Sequence, residues 1–199
     1  MIEFIDLNRK QPYRIFLDKY QQALEKKQKN IEAIAISSFN PKTDEVESRF
    51  VNLKYIKDDQ WIFFSNYNSN KAEDFAGHNQ ITGLFFWHQT NTQVRIKATL
   101  QKTQPDFSDW HFSQRTKEKN ALAISSKQSQ KIDSFESIRR GYEKVIKDEE
   151  LLHQRPDYWG GYSFVPYYFE FWEGQKFRLN KREVYEFDDN KWKTYLLQP

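Results

Sequence analysis

What most constrains this 199-residue chain is the order in which its periodicities change along the sequence. Ile31–Ser38, Val46–Ile56, Trp61–Asn66, Ile81–His88 and Gln93–Lys102 read as strands. Turn-forming segments such as Asn40-Pro41-Lys42-Thr43-Asp44 and Lys57-Asp58-Asp59-Gln60 part them. A helical stretch follows over 105–150, opening on Pro105 and including Phe135, Ile138, Tyr142 and Val145. Strand chemistry then returns in Gly161–Trp172, Val184–Phe187 and Trp192–Leu197. Strands and helices that do not alternate one for one predict an α+β fold, a single domain with a barrel or sandwich at its centre. Ahead of the strands, Tyr13, Phe16, Leu17, Tyr20 and Leu24 recur at helical spacing after Pro12. Lys26, Lys27 and Lys29 are expected to form the basic last turn of that amphipathic helix. Ser69 is a candidate cap for a short helix containing Ala72, Phe75 and Ala76.

Several function classes are excluded early. There is no cysteine, so no disulfide scaffold, thiolate metal site or cysteine nucleophile, and the chain suits a reducing, cytoplasmic setting. Its six glycines form neither a GxGxxG fingerprint nor a Walker loop, so any phosphate must be held by side chains. His78, His88, His111 and His153 show no metal-ligand spacing, and no GxSxG elbow exists. No apolar run approaches the length of about 18 residues that a membrane span needs, and Glu3 and Asp6 argue against a leader. The net charge of +3 is too mild and too scattered to mark a dedicated nucleic-acid module.

What remains is a set of side chains suited to anions and planar rings. Arg49 and Lys54 fall in the second strand run, Ser65 ends the third, and Lys71 opens the helix behind Ser69. A phosphate there would meet lysine, helix N-terminus and a bidentate guanidinium together. Regular strand alternation would set Arg49 and Lys54 on opposite faces, so a bulge or a long reach is needed to bring both to one ligand. Gln93 and Gln128 can both donate to and accept from a heterocycle's polar edge. Trp172 precedes Arg178 and Arg182, a large aromatic near two cations.

These residues, in this order, resemble the pyridoxamine 5′-phosphate oxidase family. The matching segments are Arg49-Phe-Val-Asn-Leu-Lys54, Phe63-Phe-Ser-Asn-Tyr-Asn-Ser-Asn-Lys71, Gln93-Val, Ser126-Lys-Gln-Ser129, Trp159-Gly-Gly-Tyr162, Glu170-Phe-Trp172-Glu-Gly174, Arg178-Leu-Asn-Lys-Arg182 and the C-terminal Trp192–Pro199. The resemblance implies a split β-barrel of about six antiparallel strands with flanking helices, an N-terminal arm over 1–11, and C-terminal dimerisation strands over 160–199. It also implies a homodimer with FMN at each end of the subunit interface. Arg49, Val51, Lys54, Phe64, Ser65, Lys71 and Gln93 match cofactor-binding positions, with Lys54 and Gln93 near the flavin ring. Gln128, Ser129, Trp172 and Arg182 match positions that reach the neighbouring subunit's cofactor.

On the substrate side, the resemblance implies roles for Lys54, His111, Arg115, Lys119, Arg178 and Asn180. Arg178 would lie over the substrate ring and Lys54 would polarise the flavin's oxygen edge as the catalytic pair. The site departs from the family at five places: His111 stands where tyrosine is usual, Lys119 where serine is, Asn180 where histidine is, Asn70 where arginine is, and Phe64 where tyrosine is. The N-terminal segment that covers substrate in longer members is expected to be short. The implied reaction is oxidation of pyridoxamine or pyridoxine 5′-phosphate to pyridoxal 5′-phosphate by molecular oxygen, giving hydrogen peroxide. The alternatives are another heterocycle on the same flavin scaffold, such as a phenazine precursor, and a non-enzymatic barrel that binds nucleic acid.

Overall fold

The computed structural model describes residues 1–199. Its first helix, α1 (Gln11–Glu25), starts where Pro12 supplies a pre-set φ and loses no needed N–H. It buries Tyr13, Phe16, Tyr20 and Ala23, whereas Leu24 is exposed, so the apolar stripe ends one residue earlier than the spacing predicts. Phe16 is wholly buried, its ring centroid 4.4 Å from Trp61, 5.4 Å from Phe85 and 5.6 Å from Trp87. The helix therefore stoppers an aromatic core. Lys26, Lys27 and Lys29 follow the helix instead of forming its last turn, and Lys27 has a φ of 56°.

Ahead of α1 runs β1 (Glu3–Ile5), and behind it β2 (Ala33–Asn40), β3 (Glu45–Asn52), β4 (Tyr55–Lys57) and β5 (Gln60–Asn66). After α2 (Asn70–Gly77) come β6 (Gln80–Trp87) and β7 (Thr92–Lys102). The helical layer is α3 (Pro105–Ser113), α4 (Lys117–Ser125), α5 (Phe135–Val145) and α6 (Glu149–Leu152). The chain closes with β8 (Trp159–Glu173), β9 (Lys181–Asp188) and β10 (Lys191–Leu197). All ten strands join one sheet in the order β1-β4-β5-β8-β7-β6-β2-β3, with β9 on β8 and β10 on β9. The short pair β1 and β4 and the C-terminal pair β9 and β10 extend the expected barrel; β2, β3 and β5–β8 form its wall. β3 lies against β5 without a ladder, which leaves the wall split. Glu3–Ile5 pairs in parallel with Tyr55–Lys57, and Ile2 sits in the core.

One predicted strand is two. The run Val46–Ile56 breaks at Leu53-Lys54, where Lys54 N–H donates to Ile62 O at 2.8 Å and Lys54 O accepts from Glu3 N–H at 2.9 Å. The break removes the alternation argument that separated Arg49 from Lys54, so no bulge is needed between them. In the helical layer, buried Asn120 clamps two elements by donating to Phe112 O and Leu152 O, each at 3.1 Å. Within α5, Ile138, Tyr142 and Val145 are half-buried and Phe135 is exposed.

The outer face of the sheet is continuous from β9 to β3. One cross-strand row runs Val184, Glu170, Arg95, Leu84, Ala35 and Phe50. The next runs Arg182, Trp172, Gln93 and Phe86. Phe50 and Phe86 are 75% and 54% exposed, which gives this face an apolar half beside a charged half.

Candidate cofactor and substrate site

At the β5–α2 end of the barrel, two short stretches put donors on one point. Ser65 Oγ donates to Gln128 Oε1 at 3.2 Å, and Lys71 Nζ donates to the same oxygen at 3.1 Å. Lys71 also donates to Ser69 Oγ at 3.1 Å. Ser69 is the N-cap of α2 by position, but its hydroxyl donates to Asn66 O at 2.8 Å and does not cap the helix, contrary to expectation. Burial, then the charge of Arg49, pushes the Lys71 ammonium down to about 8. Arg49 is held by Ser38 Oγ at 2.5 Å, Asp74 at 3.1 Å and Glu47 at 3.0 Å, and Val51 shares its face of β3. Asp74 is 1% exposed, so the pair with Arg49 keeps a buried carboxylate compensated. Gln128, expected to act on a neighbouring subunit, touches Ser65 and Lys71 of its own chain, and Ser129 beside it takes a φ of 72°.

Next to these donors stands an aromatic wall. His111 stacks on Phe64 with centroids 3.7 Å apart and planes 13° apart, and Phe64 stacks on Trp159 at 5.4 Å and 12°. The wall needs Gly161, where a Cβ would lie 2.6 Å from Thr103 Oγ1 and 3.1 Å from Phe64 Cε1, while a Cβ on Gly160 would run into Tyr67 behind it. That close approach explains the paired glycines after Trp159. Arg115 lies over the Trp159 ring at 4.1 Å and donates to Lys119 O at 2.8 Å. Its Nη1 is buried and makes no hydrogen bond, a donor without an acceptor. Burial lowers Arg115 to about 10.

Lys54, Arg115 and Lys119 all act on His111, which burial and these cations push down to about 4, so it is neutral at pH 7. Lys54 is itself lowered, chiefly by burial and then by Lys119 and Arg115 against the opposing pull of Glu32. A cleft of about 210 Å³ opens between Phe64, Ser65, Arg115, Lys119, Gln128 and Trp159. Such a cleft takes a planar ring on its aromatic side and anions at either end.

The remaining candidates lie elsewhere. Trp172 faces Gln93 on β7 and Arg182 on β9 in one row. Arg182 donates through Nε to Glu170 Oε1 at 2.8 Å, its Nη2 forms an ion pair with the same oxygen, and Arg95 pairs with the other oxygen of that buried carboxylate. Trp159 and Trp172 stand at opposite ends of β8, separated by up to about 40 Å of strand contour. Arg178 is exposed with a φ of 62° in the turn between β8 and β9. Asn180 ties that turn shut, its Oδ1 accepting from Gln175 N–H at 3.1 Å. Tyr55, Trp159, Asp74 and Glu170 were not singled out from sequence as site residues. Only the Trp-Gly-Gly run and the Glu-Phe-Trp run signalled two of them.

The donor set fits FMN. Ser65, Lys71 and Arg49 offer side-chain phosphate ligands beside a helix N-terminus, and burial with the neighbouring Arg49 charge lowers the Lys71 ammonium against the opposing pull of Asp74, an electropositive setting suited to an anion. Comparisons with known proteins agree. Residues 159–199 match the model of the pyridoxine 5′-phosphate oxidase C-terminal dimerisation region. A pyridoxine/pyridoxamine 5′-phosphate oxidase from Hydrogenovibrio crunogenus is 32% identical over 191 residues, covering 94% of this chain and 88% of the relative. One from Cytophaga hutchinsonii is 34% identical over 192 residues, with 94% and 86% covered. Among solved structures, PhzG from Burkholderia lata, in complex with tetrahydrophenazine-1-carboxylic acid, superposes with a TM-score of 0.88 at 25% identity, covering 95% of this chain and 93% of that one. A pyridoxamine 5′-phosphate oxidase-related, FMN-binding protein from Nostoc punctiforme shares the fold, with a TM-score of 0.79 at 13% identity over 96% and 99% of the two chains. With the split barrel, the phosphate donors and these relatives together, the chain belongs to the pyridoxine/pyridoxamine 5′-phosphate oxidase family of FMN-dependent oxidoreductases.

Proposed function

We propose that two copies of this chain form an FMN enzyme that oxidises pyridoxamine or pyridoxine 5′-phosphate to pyridoxal 5′-phosphate. Molecular oxygen is the final acceptor and hydrogen peroxide the by-product; the amine substrate also takes up water and releases ammonia. The observation that carries this reading is the cationic cluster of Lys54, Arg115 and Lys119 around neutral His111, beside the Phe64–Trp159 wall. That cluster suits a doubly charged phosphate on a flat ring, separate from the Ser65–Lys71–Arg49 group that suits the cofactor's own phosphate. When bound, FMN supplies a two-electron acceptor that oxygen regenerates. Arg115 offers its free Nη1 to the substrate phosphate, Lys119 adds a point charge, and the aromatic wall holds the ring and excludes water. Lys54 places a cation beside the reacting groups. Arg178, far along the chain from Arg115, serves the site only from a second copy.

The homodimer reading rests on the outer sheet face. Phe86 lies in the same row as Gln93, Trp172 and Arg182, Phe50 and Leu84 lie in the adjacent row, and Gln93, Trp172 and Arg182 sit on or beside the segment that matches the dimerisation region. Covering this face with a second copy buries its apolar half and carries Trp172, Arg182 and Arg178 toward the partner's cleft. A second reading keeps FMN and changes the substrate to a heterocyclic acid. It is favoured by the likeness to PhzG and by His111, Lys119 and Asn180, where the family has other residues. Mixing FMN-loaded protein with pyridoxamine 5′-phosphate under air decides between them. Peroxide and aldehyde in equal amounts are expected. Flavin that stays oxidised under anaerobic substrate excess overturns the vitamin B6 reading, and protein that FMN cannot turn yellow overturns both.

A further inference from the structure

The His111 imidazole has only one hydrogen-bond partner in the structure, Tyr55, whose hydroxyl lies 2.8 Å from Nδ1. Tyr55 follows the break between β3 and β4, is 7% exposed, and is packed by Phe64, Phe107, Trp110 and His111 itself. Its hydroxyl makes no second hydrogen bond. If Nδ1–H were the donor, the phenolic proton would be left without an acceptor in this aromatic box, at a cost a buried polar group avoids. With Tyr55 as donor, Nδ1 accepts and the imidazole's own proton sits on Nε2. The stack on Phe64, 3.7 Å away and nearly parallel, fixes the plane of the ring.

We propose that Tyr55 is a positioning residue that holds His111 as a neutral Nε2–H donor for the anionic group of the substrate. The proposal rests on the substrate reading above and assigns that site's anion one uncharged, directional donor among the cations Lys54, Arg115 and Lys119. A neutral donor in such company adds a hydrogen bond without adding a fourth charge to desolvate. The family's usual tyrosine at this place is also an uncharged donor, but it needs no second residue to set its proton. In this chain Tyr55 completes what the shorter imidazole cannot set alone. The charged groups acting on the imidazole are those three cations, and Tyr55, kept protonated by its burial, is the only titratable group bonded to it.

The test uses FMN-loaded protein labelled with 15N-histidine. The chain has four histidines, so His111→Phe identifies the His111 signals by their loss. The wild type is expected to show a protonated Nε2 and an unprotonated Nδ1, and Tyr55→Phe, which keeps the packing, to lose that fixed state. The Kd of inorganic phosphate and the KM of pyridoxamine 5′-phosphate are expected to rise about tenfold in Tyr55→Phe, with kcat changed less. In a His111→Phe background, the second substitution is expected to add nothing. A protonated Nδ1 in the wild type, or an unchanged phosphate Kd in Tyr55→Phe, overturns the proposal. If pyridoxamine 5′-phosphate is not turned over at all, the substrate reading fails, while the imidazole signals and the phosphate affinity still decide the role of Tyr55.

Discussion

Replacing Lys71 with methionine isolates the charge on which cofactor binding depends. The ammonium sits on an 8% exposed residue, donates to Ser69 and Gln128, and is brought down to about 8 by burial and Arg49. A phosphomonoester such as FMN is a dianion above about pH 6. Its binding draws on the protonated lysine, so affinity should be flat between about pH 6 and 8. Above that, the free protein loses the proton first, and the FMN Kd should rise about tenfold per pH unit. Lys71→Met should erase this alkaline limb. At pH 7 it should also forfeit a charge-assisted hydrogen bond, about 1.5–3 kcal/mol, or roughly 10- to 150-fold in Kd.

The same substitution should act oppositely on the apoprotein. A lysine whose folded pKa lies below its unfolded one destabilises fully at pH values under the folded pKa, and the penalty fades as pH rises through the unfolded value. Apo Lys71→Met should therefore unfold at a higher temperature than the wild-type apoprotein at pH 7. Quenching of flavin fluorescence during titration of apoprotein gives the Kd, and calorimetry gives the Tm. A wild-type Kd that stays flat from about pH 7 to 9, or a Lys71→Met variant with wild-type affinity, would refute the assignment of Lys71 to the cofactor phosphate.

Mixing two separately inactive variants, Lys71→Met and Arg182→Ala, after subunit exchange should restore about a quarter of the sites, because each mixed dimer regenerates one intact composite site. No recovery of bound flavin or turnover would place the whole site within one chain. Arg178→Ala should cut turnover while FMN stays bound, as followed by the flavin spectrum of the purified variant. Gly161→Ala should cost about 1–3 kcal/mol of stability and weaken FMN, since the added methyl displaces Thr103 or Phe64; thermal unfolding and the FMN titration report the two effects.

Much of the fold was legible because strand and helix periods differ and the turns carry their own chemistry. Ile81–His88 corresponds to Gln80–Trp87, shifted by a residue at each end, and Gln93–Lys102 to Thr92–Lys102, which starts one residue earlier and ends at the same place. The break at Leu53-Lys54 was not legible, because the run from Val46 to Ile56 has uninterrupted strand chemistry. The interruption comes from backbone bonds to Ile62 and Glu3, contacts with other strands that no local pattern encodes. Ser69 misled for a different reason: two other local groups, Asn66 O and Lys71 Nζ, take the hydroxyl that would have capped the helix. Among site residues, the cations were found by type and motif. Tyr55 and Asp74 were missed, since each acts through another residue and matters only once His111 and Arg49 have been brought against it. That Gln93 stands beside Trp172 was not legible because the two are 79 positions apart in the chain, and only cross-strand register shows them side by side.

The 15 residues of β8 have a consequence for how this protein can change over time. Their first residue walls one cleft, and their next-to-last faces outward toward the place where a second copy would bring another. In the proposed dimer this strand acts as a ruler between two reaction centres, and its length is counted in residues. Insertion or loss of one residue inverts the side chains beyond it unless a bulge absorbs it, as the irregular register opposite Lys97 and Ala98 already does once, and a change of two keeps the facing but moves Trp172 by about 7 Å. Unless a bulge takes up the change, the number of residues between Trp159 and Trp172 cannot vary without losing both sites at once.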